Sequence, residues 1–481
     1  MSQRRLFYIT DLEGDLGYFT RILNHKKCPI FVDKRKPGTT PLSGLPYGFL
    51  KRDGITRKSP PKAPTITNLF DLEHFSLEFK DDSTELVFGG DLFDHGQDIC
   101  LAHALLDLKA RYSSRTHLIL GNRDINKLIM PRIYEDAASH TAKEAECMLF
   151  GIDRSKLPEA LSRTSEVSYP EYLKSTNRVS SDLADPVSFL QWGLKYKMGS
   201  SRAFIHRKNE LEATLGTDVS EREVADSFFD AAKIGGAYCE YLRNASIMTV
   251  IDSILFVHGG INDDNVGVIP DPNAKWYEQK EKARNLMKEG HDFFSWRNEL
   301  EAFKNRELDD WMNGRGNKGE ALRMYAIPKR VAPHSVVVGS FVDLHGPAYS
   351  SLNVIEYLLQ SGISTVCAGH QPCGDSPAVV QQPGGFTMID ADNSYCGKEH
   401  STDTNSRWKG LNIVEFGENG VCTLEGCRAD GSPFLYQVGT GVDNNSGGKL
   451  LGRSVGDGWW VKVRLAVRRS HTDILLSKYE G

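Results

Sequence analysis

Residues Val87 to Gly96, VFGGDLFDHG, end an apolar run at two glycines and then set Asp91, Asp94 and His95 in one short loop. An apolar run of this length bounded by glycine reads as a buried strand, so the acids fall just past its carboxyl end. The same arrangement recurs along the chain. RLFYIT (5–10) leads into Asp11 and Glu13, THLIL (116–120) into Asn122 and Arg123, ILFV (254–257) into His258, and STVCA (364–368) into His370. Each polar residue follows an apolar run and lies beside a glycine.

Helical patterns separate these runs. LGYFTRILNH places Leu16, Phe19, Ile22 and Leu23 at helical spacing, and DICLAHALLDLKARY follows the second strand. Strand, polar loop and helix thus repeat three times in the first 130 residues, which predicts a layered α/β domain with its functional loops beyond the carboxyl ends of the strands. ASIMTVIDSILFVHGGI reads as a hairpin turning near Asp252 and Ser253, and the tail, with FTMIDADNSY, GLNIVEF and GWWVKVRLAV, reads as mostly strand.

Composition bounds the rest. The chain has 481 residues, 40% hydrophobic and 25% charged, which leaves room for two domains or for one with large insertions. A net charge of −5 argues against bulk binding to nucleic acid or an anionic membrane. The opening MSQRRLFYITDLEGD is expected to be neither a signal peptide nor an anchor, and no run approaches the roughly 18 apolar residues of a membrane span. Nine scattered cysteines suit reduced thiols in a cytoplasmic protein.

Residues 1–125 and 245–440 are read as one discontinuous core. Residues 26–84, rich in proline, glycine and basic residues, form an insertion that is either a solvated loop or a rim attracting an anionic substrate; 126–244 form a helical insertion or cap, and 441–481 a strand extension of the core.

Collected together, Asp11, Glu13, Asp91, Asn122, His258 and His370 are a mixed oxygen and nitrogen donor set. Carboxylates gathered in such numbers repel one another unless cations compensate them, and two divalent ions of the Mn, Fe, Zn, Co or Ni type suit these donors better than Ca.

In their order, TDLEGD, GGDLFDHG, LGNRD, VHGG and GHQP resemble the motifs of the calcineurin-like metallophosphoesterases: GD-x-HG, GD-x-x-D-x-G, GN-H-[DE], a histidine after a strand, and GH. VHGGI and TMIDADNSYCGKE are similar to the HGGL and SAPNYCGE segments of the phosphoprotein phosphatase branch. The likeness covers residues 1–25, 85–130, 245–262 and 350–427. It implies an α/β/β/α sandwich carrying a large helical insertion. It also implies a dinuclear centre in which Asp11 and Glu13 hold the first ion, Asp91 bridges, and Asn122, His258 and His370 hold the second. A water lying between the ions then attacks phosphorus in line. Tyr395 is implied as a substrate contact, with a buried core tyrosine as the alternative.

Three departures from the family pattern matter. Glu13 stands where the family has histidine, which favours harder ions, Mn or Mg, over Fe or Zn. Arg123 replaces the catalytic histidine, and His95 stands where the phosphoprotein phosphatases carry arginine. On one reading the two have traded places: Asp94 orients His95 or pairs with Arg123, His95 protonates the leaving alkoxide, and Arg123 grips the phosphoryl oxygens. The alternative leaves His95 a loop residue and Arg123 a salt-bridge partner of Asp94 or Asp124.

The further phosphate-binding arginine of the family has no clear counterpart, with Arg315, Arg323 or an arginine of the insertion as substitutes. Arg202, His206 and Arg207 read as an exposed helix face rather than a cap, Asp343 and His345 as loop, and Trp276 and Trp296 as packing. The expected function is a metal-dependent phosphomonoesterase on phosphoprotein or a small phosphorylated metabolite. The alternatives are a dinucleoside polyphosphate hydrolase and a binding module that keeps the pocket without turnover.

Overall fold

The computed structural model describes residues 4–33, 76–94, 98–130, 167–178, 185–196, 198, 200–315, 319–343, 346–347, 350–372, 376–382, 385–392, 410–417, 420–427, 431, 433–439, 454–456, 459–463 and 474–478. His95 and Tyr395, two of the candidate site residues, lie outside them, as does His345.

The first strand, β1 (Arg5–Ile9), alternates its side chains between two apolar environments, so both faces of its sheet are covered. It feeds the helix Leu16–Asn24, whose first turn is capped by Asp15 accepting from the Tyr18 N–H and whose inner face buries Leu16, Phe19, Ile22 and Leu23. A strand pair follows, β2 (Ile30–Asp33) with β3 (Ser76–Phe79), joined antiparallel. Next come β4 (Thr84–Phe88), the helix Asp98–Arg111 and β5 (Thr116–Leu118), with β4 parallel to both β1 and β5.

Beyond the short helix Asn122–Asn126 the described residues up to 244 are helical, with segments Tyr169–Ser175, Pro186–Tyr196, Ala203–Leu215, Glu221–Ala232 and Ala237–Asn244. A hairpin, β6 (Met248–Ile251) and β7 (Ile254–Val257), turns at Asp252, where the sequence pattern placed it. The chain then runs through the two-residue pairs β8 (Val268–Ile269) with β9 (Arg284–Asn285) and β10 (Val342–Asp343) with β11 (Gly346–Pro347). Between those pairs lies the helix Phe293–Met312, and the helix Leu352–Gln360 follows them. The last strands are β12 (Thr365–Ala368), β13 (Ala378–Gln381), β14 (Thr387–Asp390), β15 (Leu411–Gly417), β16 (Val421–Cys427) and β17 (Pro433–Gly439). Strands β18 (Ser454–Gly456), β19 (Trp459–Val463) and β20 (Ile474–Lys478) make a three-stranded sheet of their own.

Two sheets dominate, one in the order β17-β16-β15-β1-β4-β5 and the other β13-β14-β12-β7-β6. They face each other across an apolar layer built from Leu6, Tyr8 and Val87 on one side and Phe256, Cys367 and Ile389 on the other. Tyr8 stacks on Phe256 with ring centroids 5.5 Å apart, and Phe256 meets Phe416 edge-on. The opposite faces, Phe7, Ile9, Leu86 and Phe88 in the first sheet and Leu255, Val257, Val366 and Met388 in the second, join the core shared with the helices. The architecture is a layered α/β/β/α sandwich with a large helical segment between β5 and β6.

Parallel pairing decides where polar residues meet. β1, β4 and β5 run one way in the first sheet, and β7, β12 and β14 run together in the second. Their carboxyl ends therefore open on a common edge of the sandwich.

Candidate metal centre

At that edge the chain turns sharply after each strand. Asp11, Glu13, Asp91 and His370 all have left-handed backbones, with φ of 52°, 47°, 50° and 76°. Side chains other than glycine pay about 1–2 kcal/mol for this conformation, and four cases around one point mark strain held in place by the surrounding fold. Backbone bonds do the holding: the Asp11 N–H donates to the Gly90 carbonyl at 3.0 Å and the Glu13 N–H to the Asp91 carbonyl at 2.9 Å. Neighbouring glycines leave no slack. A Cβ on Gly121 would lie 2.1 Å from Asp91 Oδ1, and one on Gly369 would lie 2.1 Å from Asp11 Oδ2.

Two ligand groups result. Asp11, Glu13 and Asp91 offer oxygens within 4.8 Å of one another, and so do Asp91, His258 and His370 with an oxygen and two ring nitrogens. Asp91 belongs to both. Asn122 joins the second group, its Oδ1 lying 3.3 Å from His258 Nε2. The other nitrogen of that ring, Nδ1, lies 2.8 Å from the Gly89 carbonyl and donates to it. That bond fixes the tautomer and turns Nε2 toward Asp91 Oδ1, 3.2 Å away, the orientation a metal-ligating histidine needs.

Charge makes the case for cations. Asp11, Glu13, Asp91, Asp94, Asp124, Asp390 and Asp392 are all buried here. Arg123 pairs with Glu13, Asp91 and Asp94, and Lys127 with Asp94. Burial alone would lower the pKa of His258, but Asp91 and Asp11 raise it to about 10. Burial and the charge on His258 lower His370 to about 3. Burial, reinforced by Asp392, holds the Asp390 carboxyl well above its usual range. A pocket that draws a proton onto one imidazole and keeps another carboxyl neutral is short of positive charge, and the donors present fit divalent metal ions.

Around the ligands sits a polar frame. The Arg123 Nε lies 3.2 Å from Glu13 Oε1 and 3.4 Å from Asp91 Oδ2, and its Nη1 pairs with Asp94 Oδ2. Of the partners the sequence left open, Arg123 takes Asp94 and not Asp124. Asp124 instead accepts four backbone N–H bonds, from Gly121, Asp91, Leu92 and Phe93, at 2.8–3.2 Å. Burial and the nearby Asp91 charge push its carboxyl up to about 7, against those four donors.

Some charged residues were not legible from spacing. Lys127 approaches Asp94 Oδ1 at 3.4 Å, and the Lys329 ammonium is near enough to act on His370. For Asp124 the local signals were the last residue of LGNRD and its place as a carboxylate at the third position of a short helix.

Other candidates fall elsewhere. Arg315 pairs with Asp309 and Arg323 with Glu320. The expectation of an exposed face at 202–207 is corrected for Arg207, which is buried and bonds Glu210 and Ser227. Trp296 is fully buried, donating its indole N–H to the Val268 carbonyl, and Trp276 packs in a small apolar cluster with Met324 and Ile327.

Neither a protein-family model nor the sequence of a curated protein matches this chain. Among solved structures it is similar to a protein serine/threonine phosphatase from Saccharomyces cerevisiae described as having similarity to human phosphatase PP5. The identity is 9% and the TM-score 0.31, over 92% of this chain and 82% of that one. A likeness this faint assigns nothing, and the reading of the site rests on its own geometry. Among the described residues no helix is long and apolar enough to cross a membrane.

Proposed function

We propose that this chain is a metal-dependent phosphoester hydrolase of the calcineurin-like metallophosphoesterase kind, acting as a phosphomonoesterase on a phosphoprotein or a small phosphorylated metabolite. The observation that carries the reading is the shared position of Asp91 between two ligand groups, one all oxygen and one mainly nitrogen. In this reading Asp11, Glu13 and Asp91 hold one divalent ion, and Asp91, Asn122, His258 and His370 hold a second. The carboxylate-rich first group favours Mn or Mg over Fe or Zn. When bound, such ions neutralise phosphoryl oxygens and acidify water.

The chain's own residues do the rest. Arg123, anchored by Asp94 beside Glu13 and Asp91, presents its guanidinium to the phosphoryl oxygens. His95 is proposed as the proton donor to the leaving alkoxide, and Tyr395 as a hydrogen-bond donor to substrate. The described cysteines are free thiols, which suits a cytoplasmic protein.

The test combines metal analysis with turnover. Purified protein is expected to carry about two divalent metal ions per chain. It should hydrolyse para-nitrophenyl phosphate or a phosphopeptide in preference to a dinucleoside polyphosphate. Asp91→Asn should lose both the ions and the activity while unfolding cooperatively. Full activity in Asp91→Asn, or turnover by protein stripped of metal, would end the two-metal reading; a preference for dinucleoside polyphosphate would move the chain to the anhydride hydrolases.

A further inference from the structure

The helical segment between β5 and β6 raises a question that sequence leaves open: does it open and close over the metal edge, or is it built into that edge? Two sets of contacts, both buried, tie it to the loop that carries Asp91 and Asp94.

One set is aromatic. Phe93, fully buried between those two aspartates, meets Tyr238 edge-on at 4.5 Å and Tyr241 edge-on at 5.3 Å. Both tyrosines belong to the helix Ala237–Asn244, and the Tyr241 hydroxyl donates to the Ile119 carbonyl at 3.0 Å, just ahead of Asn122. Edge-to-face pairs of this kind add attraction beyond their buried area.

The other set is ionic. Asp98, fully buried, accepts the Asp94 N–H at 3.1 Å, while Lys127 holds the Asp94 carboxylate at 3.4 Å. Lys127 and Arg207 both act on Asp98 with their charges. Arg207 sits on the helix Ala203–Leu215, paired with Glu210 at 2.5 Å, and bonds Ser227 on the next helix at 3.1 Å. The buried charges thus fall into two directly paired groups, Glu210 with Arg207 on the helical segment and Lys127 and Arg123 with Asp94 at the candidate phosphoryl clamp, and Asp98 lies between them, bonded to the Asp94 N–H and within range of both Lys127 and Arg207. Removing one partner of a buried pair leaves the other charge uncompensated, so within each pair one member constrains the other. A segment that swings as a lid would have to part Phe93 from Tyr238 and Tyr241 and draw Arg207 away from Asp98 at every cycle.

We propose that helices 203–244 are a fixed buttress of the metal edge, and that Lys127, Asp98 and Arg207 are positioning residues that set Asp94 and, through it, Arg123. The catalytic consequence rests on the phosphoesterase reading above; the buttress itself does not.

Two variants test it. The double change Arg207→Met with Glu210→Gln removes the outer pair without orphaning a charge, and Lys127→Met removes the inner cation, with Lys127→Arg as its rescue. In amide hydrogen exchange, protection of Asp94 and its neighbours should fall about 10-fold or more in both variants, while β1 and β4 keep theirs. Unchanged exchange at Asp94, or a uniform loss across sheets and helices, overturns the buttress. In metal-loaded protein, the affinity for inorganic phosphate should fall about 10-fold at constant metal content and recover in part in Lys127→Arg. A loosened loop that binds phosphate as the native protein does overturns the positioning role. Because phosphate binding needs no turnover, an inactive wild type would sink the phosphoesterase reading and leave this test standing.

Discussion

Arg123 is where local chemistry departs most from the motifs the sequence resembles, and its surroundings say what it is suited to. A guanidinium keeps its proton near neutral pH, so Arg123 is not an acid; anchored on Asp94 it is a fixed positive fork beside the ligand carboxylates. Such a fork serves every phosphoester alike. Arg123→Ala should therefore slow para-nitrophenyl phosphate and an alkyl phosphate by similar factors, on the order of 10²-fold, the scale of losing one fixed electrostatic donor. His95→Ala should slow the alkyl ester by about 10²-fold and hardly touch the nitrophenyl ester, whose phenolate leaves unaided. Steady-state kinetics on the two esters separate the roles: equal losses in His95→Ala would leave it a bystander.

At the scale of elements, the loop after β4 is shaped by one side chain from another strand end. Asp124 gathers the N–H groups of Gly121, Asp91, Leu92 and Phe93, and so holds Asp91 in its left-handed turn. Four donors converging on one buried group favour the carboxylate form. Asp124→Asn would turn an amide N–H toward some of those donors and leave others unsatisfied, at a cost of about 1–3 kcal/mol for each orphaned group. The expected outcome is a lower denaturant midpoint together with weaker metal binding; a midpoint equal to wild type would show that the group is already neutral. This element also shows what sequence carries and what it does not. Strands ending in glycine and a polar residue are local patterns, and VFGGD, LGN, FVHGG and AGH were readable one at a time. Asp98, Lys127 and Arg207 were not, because nothing near them in sequence distinguishes a buried charge from a solvated helix face; their partners come from packing across gaps in the chain. Arg207 was misplaced for that reason, in a helix whose polar residues look exposed by composition.

Over the whole molecule, buried histidines outside the proposed ligand set also govern how the protein meets acid. His334 packs against Tyr325 with ring centroids 5.9 Å apart, and burial lowers its pKa to about 4. His103, on the helix Asp98–Arg111, is lowered to about 4 by burial and by the charge on Arg207. Both are neutral in the folded state at pH values where the unfolded chain, with a histidine pKa of about 6.5, binds protons. The unfolded state then holds more protons between about pH 6.5 and 4, so the stability these groups contribute is present above pH 6.5 and is lost as pH falls toward 4. Each histidine should add about 1.4 kcal/mol per pH unit to the slope of unfolding free energy across that window. Chemical denaturation of wild type at a series of pH values should show the decline, and His334→Phe, which keeps a ring against Tyr325, should flatten it by about one proton. Since carboxylates of the metal edge titrate in both proteins, the difference between the two curves isolates His334; parallel curves would mean that its imidazole stays solvated or finds a partner when charged.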